Sequence, residues 1–295
     1  MKKYIVVTGG AGFIGSNLIK ILLIKTNQYI ISIDNYSSGF KKNHIKNKRV
    51  KYISASTNNI SKKLEKINKK ISVIFHFGEF SRIYQSFLKM NVCIESNSIG
   101  SHAVFSFCLA NKIKLIYSAT SASLGNNGSN KNLSPYAFTK AKNIEMLENL
   151  KKWFNFKYEI IYFYNVYGPN QICKGDMATV IGIFEDQYSN NKSLTIVKPG
   201  TQKRRFTHIN DTIDTCIEAW KKNKNRHYSI SSKKSYSIID VAKMFGCKKK
   251  YLPKQKGERY KTELKNKNLS NQIFKRFGKI ELKDYIYNFV QNTKK

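Results

Sequence analysis

Short apolar runs alternate with helical patterns through the first half of the chain. Residues 3–8 (Lys-Tyr-Ile-Val-Val-Thr) read as a buried strand, and residues 13–25 carry apolar positions at helical spacing. Residues 29–34 form a second run, and further strands are predicted at 50–54, 72–77, 113–118 and 158–164. Helical patterns fall between them at 59–68, 91–110 and 135–152. Continuous apolar strands separated by helices imply an α/β class, a doubly wound parallel sheet covered on both faces. Past about residue 168 the segments become shorter and more polar, with helices predicted at 176–189, 211–222, 238–246 and 281–291. The implied division is a first domain over 1–168, with a return segment near 204–235, and a smaller α/β lobe over 169–295.

Composition points to a globular protein and raises one puzzle. Among 295 residues, 41% are apolar and 13% aromatic, which argues against disorder despite a formal charge of +35. That charge would ordinarily raise nucleic acid as a partner. Here only seven of the 53 basic residues are Arg, and the Lys residues are spread along the whole chain. Bidentate phosphate and groove recognition favours Arg. The excess of Lys, Asn and Ile therefore reads as codon bias, and no nucleic-acid partner is expected.

The five cysteines contain no Cys-x-x-Cys pair, so neither a disulfide scaffold nor a metal site is expected. The apolar run after Met1-Lys2-Lys3 breaks at Gly9-Gly10, unlike a signal peptide. No stretch reaches the roughly 18 apolar residues of a membrane span. The expectation is a cytoplasmic protein with no membrane partner.

Thr8-Gly9-Gly10-Ala11-Gly12-Phe13-Ile14-Gly15 follows the first strand and opens the first helix. Glycines at three-residue spacing let backbone approach a pyrophosphate, whose charge then lies at the helix N-terminus. Asp34 ends the second strand, where a carboxylate accepts the ribose hydroxyls of NAD and repels a 2′-phosphate. Lys41 and Lys42 follow closely and keep NADP as an alternative at this point.

Ser134-Pro135-Tyr136-Ala137-Phe138-Thr139-Lys140 begins another helix, with Ser134 suited to the N-cap and Pro135 to the first helical position. Tyr136 and Lys140 are four apart and project from one face. An ammonium beside a phenol favours the phenolate, which suits proton abstraction from a hydroxyl. In a chain with 18 Tyr such a pair means little alone. It gains force from its place after a strand ending Tyr117-Ser118-Ala119-Thr120.

These residues resemble the extended short-chain dehydrogenase/reductase superfamily, in its nucleotide-sugar epimerase/dehydratase branch. Thr8 to Gly15 resembles the TGxxGxxG signature, and Asp34-Asn35-Tyr36-Ser37-Ser38-Gly39 the stretch after the second strand. Tyr136 and Lys140 match the YxxxK pair. Tyr164-Asn165-Val166-Tyr167-Gly168-Pro169 resembles the motif introducing the sugar-nucleotide lobe, and Arg204-Arg205-Phe206-Thr207-His208-Ile209-Asn210-Asp211 a later diphosphate-binding block. The resemblance implies a Rossmann-type sheet, a substrate-binding lobe, NAD as cofactor, a nucleotide-sugar substrate and a homodimer through helices that include 91–110 and 135–152.

The resemblance also implies roles. Thr120, Tyr136 and Lys140 become the catalytic set, with Thr120 also touching the sugar. Gly9, Gly12, Phe13, Ile14, Gly15, Asp34, Asn35, Phe77, Gly78 and Asn97 join Tyr136 and Lys140 around the cofactor. Asn165 and Arg204 become diphosphate ligands, with Arg259 a second phosphate arginine. The chain departs from the family at Gly78-Glu79, where two small residues are usual, at Ser56, where an adenine-contacting Asp is expected, and in a short connection from Thr120 to Tyr136.

A family 4,6-dehydratase carries Asp and Glu directly after the catalytic Thr, where this chain has Ser121 and Ala122. A deoxysugar 3,5-epimerase/reductase would need a Cys before it, where Ala119 stands. A 4-epimerase needs neither, so the expected reaction is inversion at C4 through a 4-keto intermediate. Dehydration and a catalytically silent cofactor-binding protein stand as alternatives. His76 is expected to be structural, His208 to pack, and Cys93 and Cys108 to fill core. Asp211 and Asp214 are expected in a first helical turn, and Glu79 in a neutral structural or rim role.

Overall fold

The computed structural model describes residues 2–124, 132–222, 227–257 and 273–293. The first half runs β1 (Tyr4–Thr8), α1 (Phe13–Lys25), β2 (Tyr29–Asp34), β3 (Val50–Ser54), α2 (Ile60–Leu64), β4 (Ile71–His76), α3 (Ile83–Leu88), α4 (Met90–Ile94), α5 (Ser101–Ala110), β5 (Lys114–Thr120), α6 (Pro135–Phe154) and β6 (Tyr158–Phe163). It continues with β7 (Val166–Tyr167), α7 (Val180–Ser189), β8 (Leu194–Val197), β9 (Lys203–Arg205), β10 (Thr207–His208), α8 (Ile209–Lys221), β11 (His227–Ser231), β12 (Ser235–Ser237), α9 (Ile238–Met244), β13 (Lys249–Leu252), β14 (Ile273–Phe277) and α10 (Leu282–Thr293).

Eight strands form one sheet in the order β14-β11-β6-β5-β4-β1-β2-β3. Every pairing in it is parallel. Strand periodicity divides its side chains between two cores. Val6, Ile31, Ile74 and Leu115 face the layer of α5 and α6, while Ile5, Val7, Ile30 and Phe75 face that of α1 and α8. The order reverses between β1 and β4, the switch point at which doubly wound sheets open a crevice.

The expected strands and helices of this half are present, with two changes of detail. The pattern at 59–68 gives only the short α2 between 3₁₀ turns at Thr57–Asn59 and Glu65–Lys70, because Ile60 and Leu64 alone are buried there among lysines. The pattern at 91–110 is interrupted by a π-helical turn, Glu95–Gly100, between α4 and α5.

The chain re-enters the main sheet twice from its second half, through β11 and again through β14. The remaining elements enclose a separate core of Ile181, Phe184, Leu194, Ile196, Val241, Leu282 and Ile286. Helix α7 begins at Val180, later than expected, because the Thr179 hydroxyl caps it by accepting from Gly182 N at 3.0 Å. Asp211 stands in the first turn of α8 and accepts from the backbone of Lys279 and Ile280. Asp214 does not share that role; it lies further along α8 and pairs with Lys25 at 3.4 Å. Lys114 closes the other end of α8, donating to the carbonyls of Ala219, Trp220 and Lys222 while Glu159 stands 3.3 Å away. No helix among the described residues is long and apolar enough to cross a membrane.

Candidate active site

The carboxyl ends of β1, β2, β4, β5 and β6 surround a cavity of about 400 Å³. One end is the glycine turn. Gly9 holds φ +69°, and a Cβ on it would stand 2.8 Å from Gly78 N and from the Phe77 carbonyl carbon. A Cβ on Gly15 would stand 2.1 Å from Gly9 O. Glycine at these positions lets the turn fold tightly against the loop after β4 and leaves the α1 N-terminus open to the cavity. Gly12, Phe13 and Ile14 line the same wall.

Asp34 lies beside this turn and is 7% exposed. Its Oδ2 accepts from Ala11 N at 2.9 Å and its Oδ1 from Tyr36 N at 2.8 Å. Burial pushes the carboxyl above its usual range, while those N–H donors hold it down. With Asn35, Ser37 and Ser38 beside it, this end fits an adenosine ribose whose hydroxyls a carboxylate accepts. Lys41 and Lys42 stand exposed in a 3₁₀ turn and do not line the cavity. Ser56 caps its own turn, accepting from Asn58 N at 3.5 Å, and lines the cavity as well.

The other end gathers the residues expected to be catalytic. Thr120 closes β5, and its Oγ1 accepts from Ala122 N at 3.1 Å. Ser134 caps α6 by accepting from Ala137 N at 3.1 Å, and Pro135 opens the helix. This fixes Tyr136 and Lys140 on one face, and both line the cavity with Thr120. Asn165 lines it too, anchored through Nδ2 to Arg205 O at 2.8 Å.

Two expected ligands lie off the cavity wall, and a third falls outside the described residues. Asn97 is fully buried in the π turn and absent from the cavity wall. Its side chain instead accepts from Phe80 N at 2.7 Å and donates to Thr139 Oγ1 at 3.2 Å, pinning the loop after β4 to α6. Arg204 is 8% exposed in β9, donates to Lys203 O, and is not on the cavity wall. Arg259 lies outside the described residues.

Two residues that the sequence undervalued are on the wall. Glu79, expected in a neutral structural or rim role, is buried rather than at the rim: its side chain is 2% exposed and forms an ion pair with Lys140. Its Oε1 accepts from Ser101 Oγ at 2.8 Å, Tyr117 Oη at 3.0 Å and Asn143 Nδ2 at 3.2 Å. Lys140 Nζ also donates to the Ser118 carbonyl. Arg82 stands just before α3, bonding Ser81 O at 2.9 Å and Met177 O, while its buried Nε has no acceptor. It lies within electrostatic reach of Tyr136.

His76 is structural, as expected, and its proton positions follow from its neighbours. Thr8 Oγ1 accepts from Phe77 N at 3.1 Å and Gly78 N at 3.0 Å. Its own hydrogen is therefore free for His76 Nδ1, 2.7 Å away. The imidazole then carries its proton on Nε2, toward Ser101 Oγ at 2.9 Å. Full burial pushes this histidine down to about 4. His208 packs against Tyr167 and Tyr285, and Cys93 and Cys108 are buried. The described residues contain no cluster of three His, Cys, Asp or Glu able to hold a metal ion.

The family model of the NAD dependent epimerase/dehydratase family matches residues 5–231. ADP-L-glycero-D-manno-heptose-6-epimerase of Brachyspira hyodysenteriae is 30% identical over 255 residues, covering 81% of this chain and 79% of its own. UDP-N-acetylglucosamine 4-epimerase from Methanobrevibacter ruminantium, solved with UDP-N-acetylmuramic acid, superposes with TM-score 0.84 at 27% identity, covering 99% and 98% of the two chains. UDP-glucuronic acid 4-epimerase from Bacillus cereus, solved with UDP-glucuronic acid and NAD, gives 0.83 at 26% identity, covering 98% and 99%. The glycine cradle, the Asp34 carboxylate beside it and the Thr-Tyr-Lys wall agree with that match, and the chain belongs to the NAD-dependent epimerase/dehydratase family.

Proposed function

We propose that the protein inverts C4 of a nucleoside-diphosphate hexose through a transient 4-keto sugar. The observation that carries this reading is the meeting of Thr120, Tyr136 and Lys140 on one wall of the cavity that begins at the glycine turn. NAD, held by the glycine turn and Asp34, would supply the group that accepts hydride from the sugar and gives it back. Tyr136 takes the O4 proton as the hydride departs and gives it back when the hydride returns. Thr120 donates to the same oxygen. Lys140 orients the nicotinamide ribose, and Asn165 meets the diphosphate. Arg204 and Arg259 keep the phosphate roles that the resemblance implies, and Arg82 adds a cation directly on the wall.

Inversion is favoured over dehydration by the residues after Thr120. Ser121 and Ala122 line the cavity there, and neither can act as a carboxylic acid or base. Two solved 4-epimerases at 27% and 26% identity support the same choice. The 30% relative named as a heptose 6-epimerase keeps inversion at another carbon as a second outcome to be read. Exposed Met90 and Val92 on α4, Ile99 in the π turn, and Phe138, Trp153 and Phe154 on α6 support a homodimer through those helices.

The deciding experiment is incubation with a panel of nucleotide sugars, followed by NMR. A C4-inverted product without net NADH accumulation is expected. A 4-keto-6-deoxy product would transfer the assignment to a dehydratase, and inversion elsewhere would relocate the reacting carbon. Tight NAD binding with no turnover on any sugar would leave a silent binding protein.

A further inference from the structure

The Lys140 ammonium is not a lone cation. Glu79 is paired with it, and the carboxylate is held by donors from three elements: Ser101 on α5, Tyr117 on β5 and Asn143 on α6. The two side chains are 4% and 2% exposed, so water screens neither of them. The carboxylate thus accepts from Lys140 as well as from those three side chains, and Ser118 Oγ stands 3.5 Å from its Oε2. The chain of bonds continues from Ser101 to His76 and from His76 to Thr8, at the root of the glycine turn. Both the pair and Tyr136 border the same cavity.

We propose that Glu79 is a positioning residue for the reaction, which holds Lys140 in place and cancels most of the ammonium's field at the Tyr136 phenol. Opposite charges in contact act on a third group as a dipole, whose field falls off faster than that of a single charge. The other charged or titratable groups facing this site are His76 at the end of β4, Arg82 before α3, Cys93 on α4 and Tyr117 on β5. His76 is neutral by its bonds, and Arg82 has no carboxylate partner among the described residues. With Lys140 balanced, Arg82 is left on the same wall as a cation with no carboxylate partner among the described residues. Glu79 thereby makes ionisation of Tyr136 less sensitive to Lys140 than the Tyr/Lys spacing alone implies.

The inference rests on the acid/base reading of Tyr136, but its test needs no turnover. Near-ultraviolet tyrosinate absorbance is titrated for the NAD-loaded protein and for its Tyr136→Phe variant, and the difference isolates Tyr136. The same difference is then taken in the Glu79→Gln background. The midpoint is expected to fall by about one pH unit, a tenfold gain in ionised phenol below it. In the Glu79→Gln, Lys140→Met background, where both charges are gone, the midpoint should return toward the starting value. In Glu79→Gln alone, where Lys140 is retained, the acid limb of kcat on the sugar found active should move the same way. Should Glu79→Gln not fold, Glu79→Asp draws the carboxylate back by one methylene and should lower the midpoint by a smaller amount. Equal midpoints in the Glu79 and substituted backgrounds overturn the proposal and leave Glu79 a scaffold residue. An inactive protein whose midpoint still moves separates a failed epimerase assignment from a failed role for Glu79.

Discussion

The Thr8 hydroxyl and His76 Nδ1 lie 2.7 Å apart, and the direction of that bond fixes the imidazole in its neutral form. Protonating Nδ1 would place two donors face to face inside the sheet. Burial holds His76 near 4, against about 6.5 in an unfolded chain. The unfolded state therefore binds the proton first as pH falls. The stability from keeping this ring neutral is complete above about pH 6.5 and is lost progressively between there and pH 4. The loss is on the order of 3 kcal/mol. His227, also pushed down to about 4 by burial, adds a second loss in the same window. Urea unfolding at pH 7, 5.5 and 4 should show a steep decline that His76→Asn makes shallower. An unchanged slope in that variant would show that His76 does not contribute to acid sensitivity.

Tyr136→Phe removes a single oxygen from a residue that is 8% exposed and packed beside Ala122 and Phe80. Turnover is expected to fall by about 10²–10⁴-fold, with NAD affinity nearly unchanged. Thr120→Val should cost less, because it removes a donor rather than the base. Single-turnover kinetics and NAD titration on the same preparations separate the two effects. A Phe variant with near-normal turnover would remove Tyr136 from the chemistry.

Asp34 divides its oxygens between the glycine turn and the loop after β2. Asp34→Asn should weaken NAD binding by about 10–100-fold, the cost of losing charge-assisted bonds to two ribose hydroxyls. Its more specific effect should be on the ratio of NAD to NADP affinity, which should fall as repulsion of a 2′-phosphate is relieved. Calorimetric titration with both dinucleotides reads that ratio. An unchanged ratio would place the ribose elsewhere.

Gly15→Ala tests the cradle itself. The added methyl would meet Gly9 O at 2.1 Å, and that oxygen belongs to backbone that cannot rotate away. The turn must open, so NAD affinity should drop at least tenfold and thermal stability by a few kcal/mol. Gly10→Ala is the comparison within the same turn, because there the added methyl would meet the Ser32 side chain, Oγ at 2.3 Å, rather than backbone. Wild-type NAD affinity and stability in Gly15→Ala would show that the close approach to Gly9 O carries no weight.

Much of this site was legible because its signals are local. Gly9 and Asp34 sit at strand ends whose apolar runs mark them, and Gly12 and Gly15 open the helix that follows. Ser134, Pro135, Tyr136 and Lys140 occupy one helical start with cap chemistry in view. Glu79 was not legible, because its role depends on donors from β5, α5 and α6 that sequence spacing does not bring together. Asn97 was misplaced for a related reason: the π turn at Glu95–Gly100 leaves no pattern in its residues, yet its fully buried side chain turns toward Phe80 and Thr139. The strand Ile273–Phe277 is short and carries two basic residues, so nothing in its composition announces a place in the main sheet.

Arg82 is the residue whose substitution should best separate substrate binding from chemistry. Its Nη groups hold the Ser81 and Met177 carbonyls, and Met177 belongs to the segment leading to Ala178 and Thr179 on the cavity wall. A guanidinium there serves two ends: it ties that wall to the loop after β4, and it offers a cation to an oxyanion of the substrate. Arg82→Lys keeps the charge but loses the planar fork, whereas Arg82→Met loses both. The Met variant is expected to raise KM for the nucleotide sugar by about 10–100-fold, equivalent to about 1–3 kcal/mol. The Lys variant should recover part of that loss if charge dominates, and none if the carbonyl contacts dominate. NAD affinity should stay within about twofold in both, since Arg82 bonds Ser81 and Met177 and takes no part in the bonds that hold Asp34 to the glycine turn. Equal loss of NAD and sugar binding would mean that Arg82 supports the whole cavity rather than its substrate end.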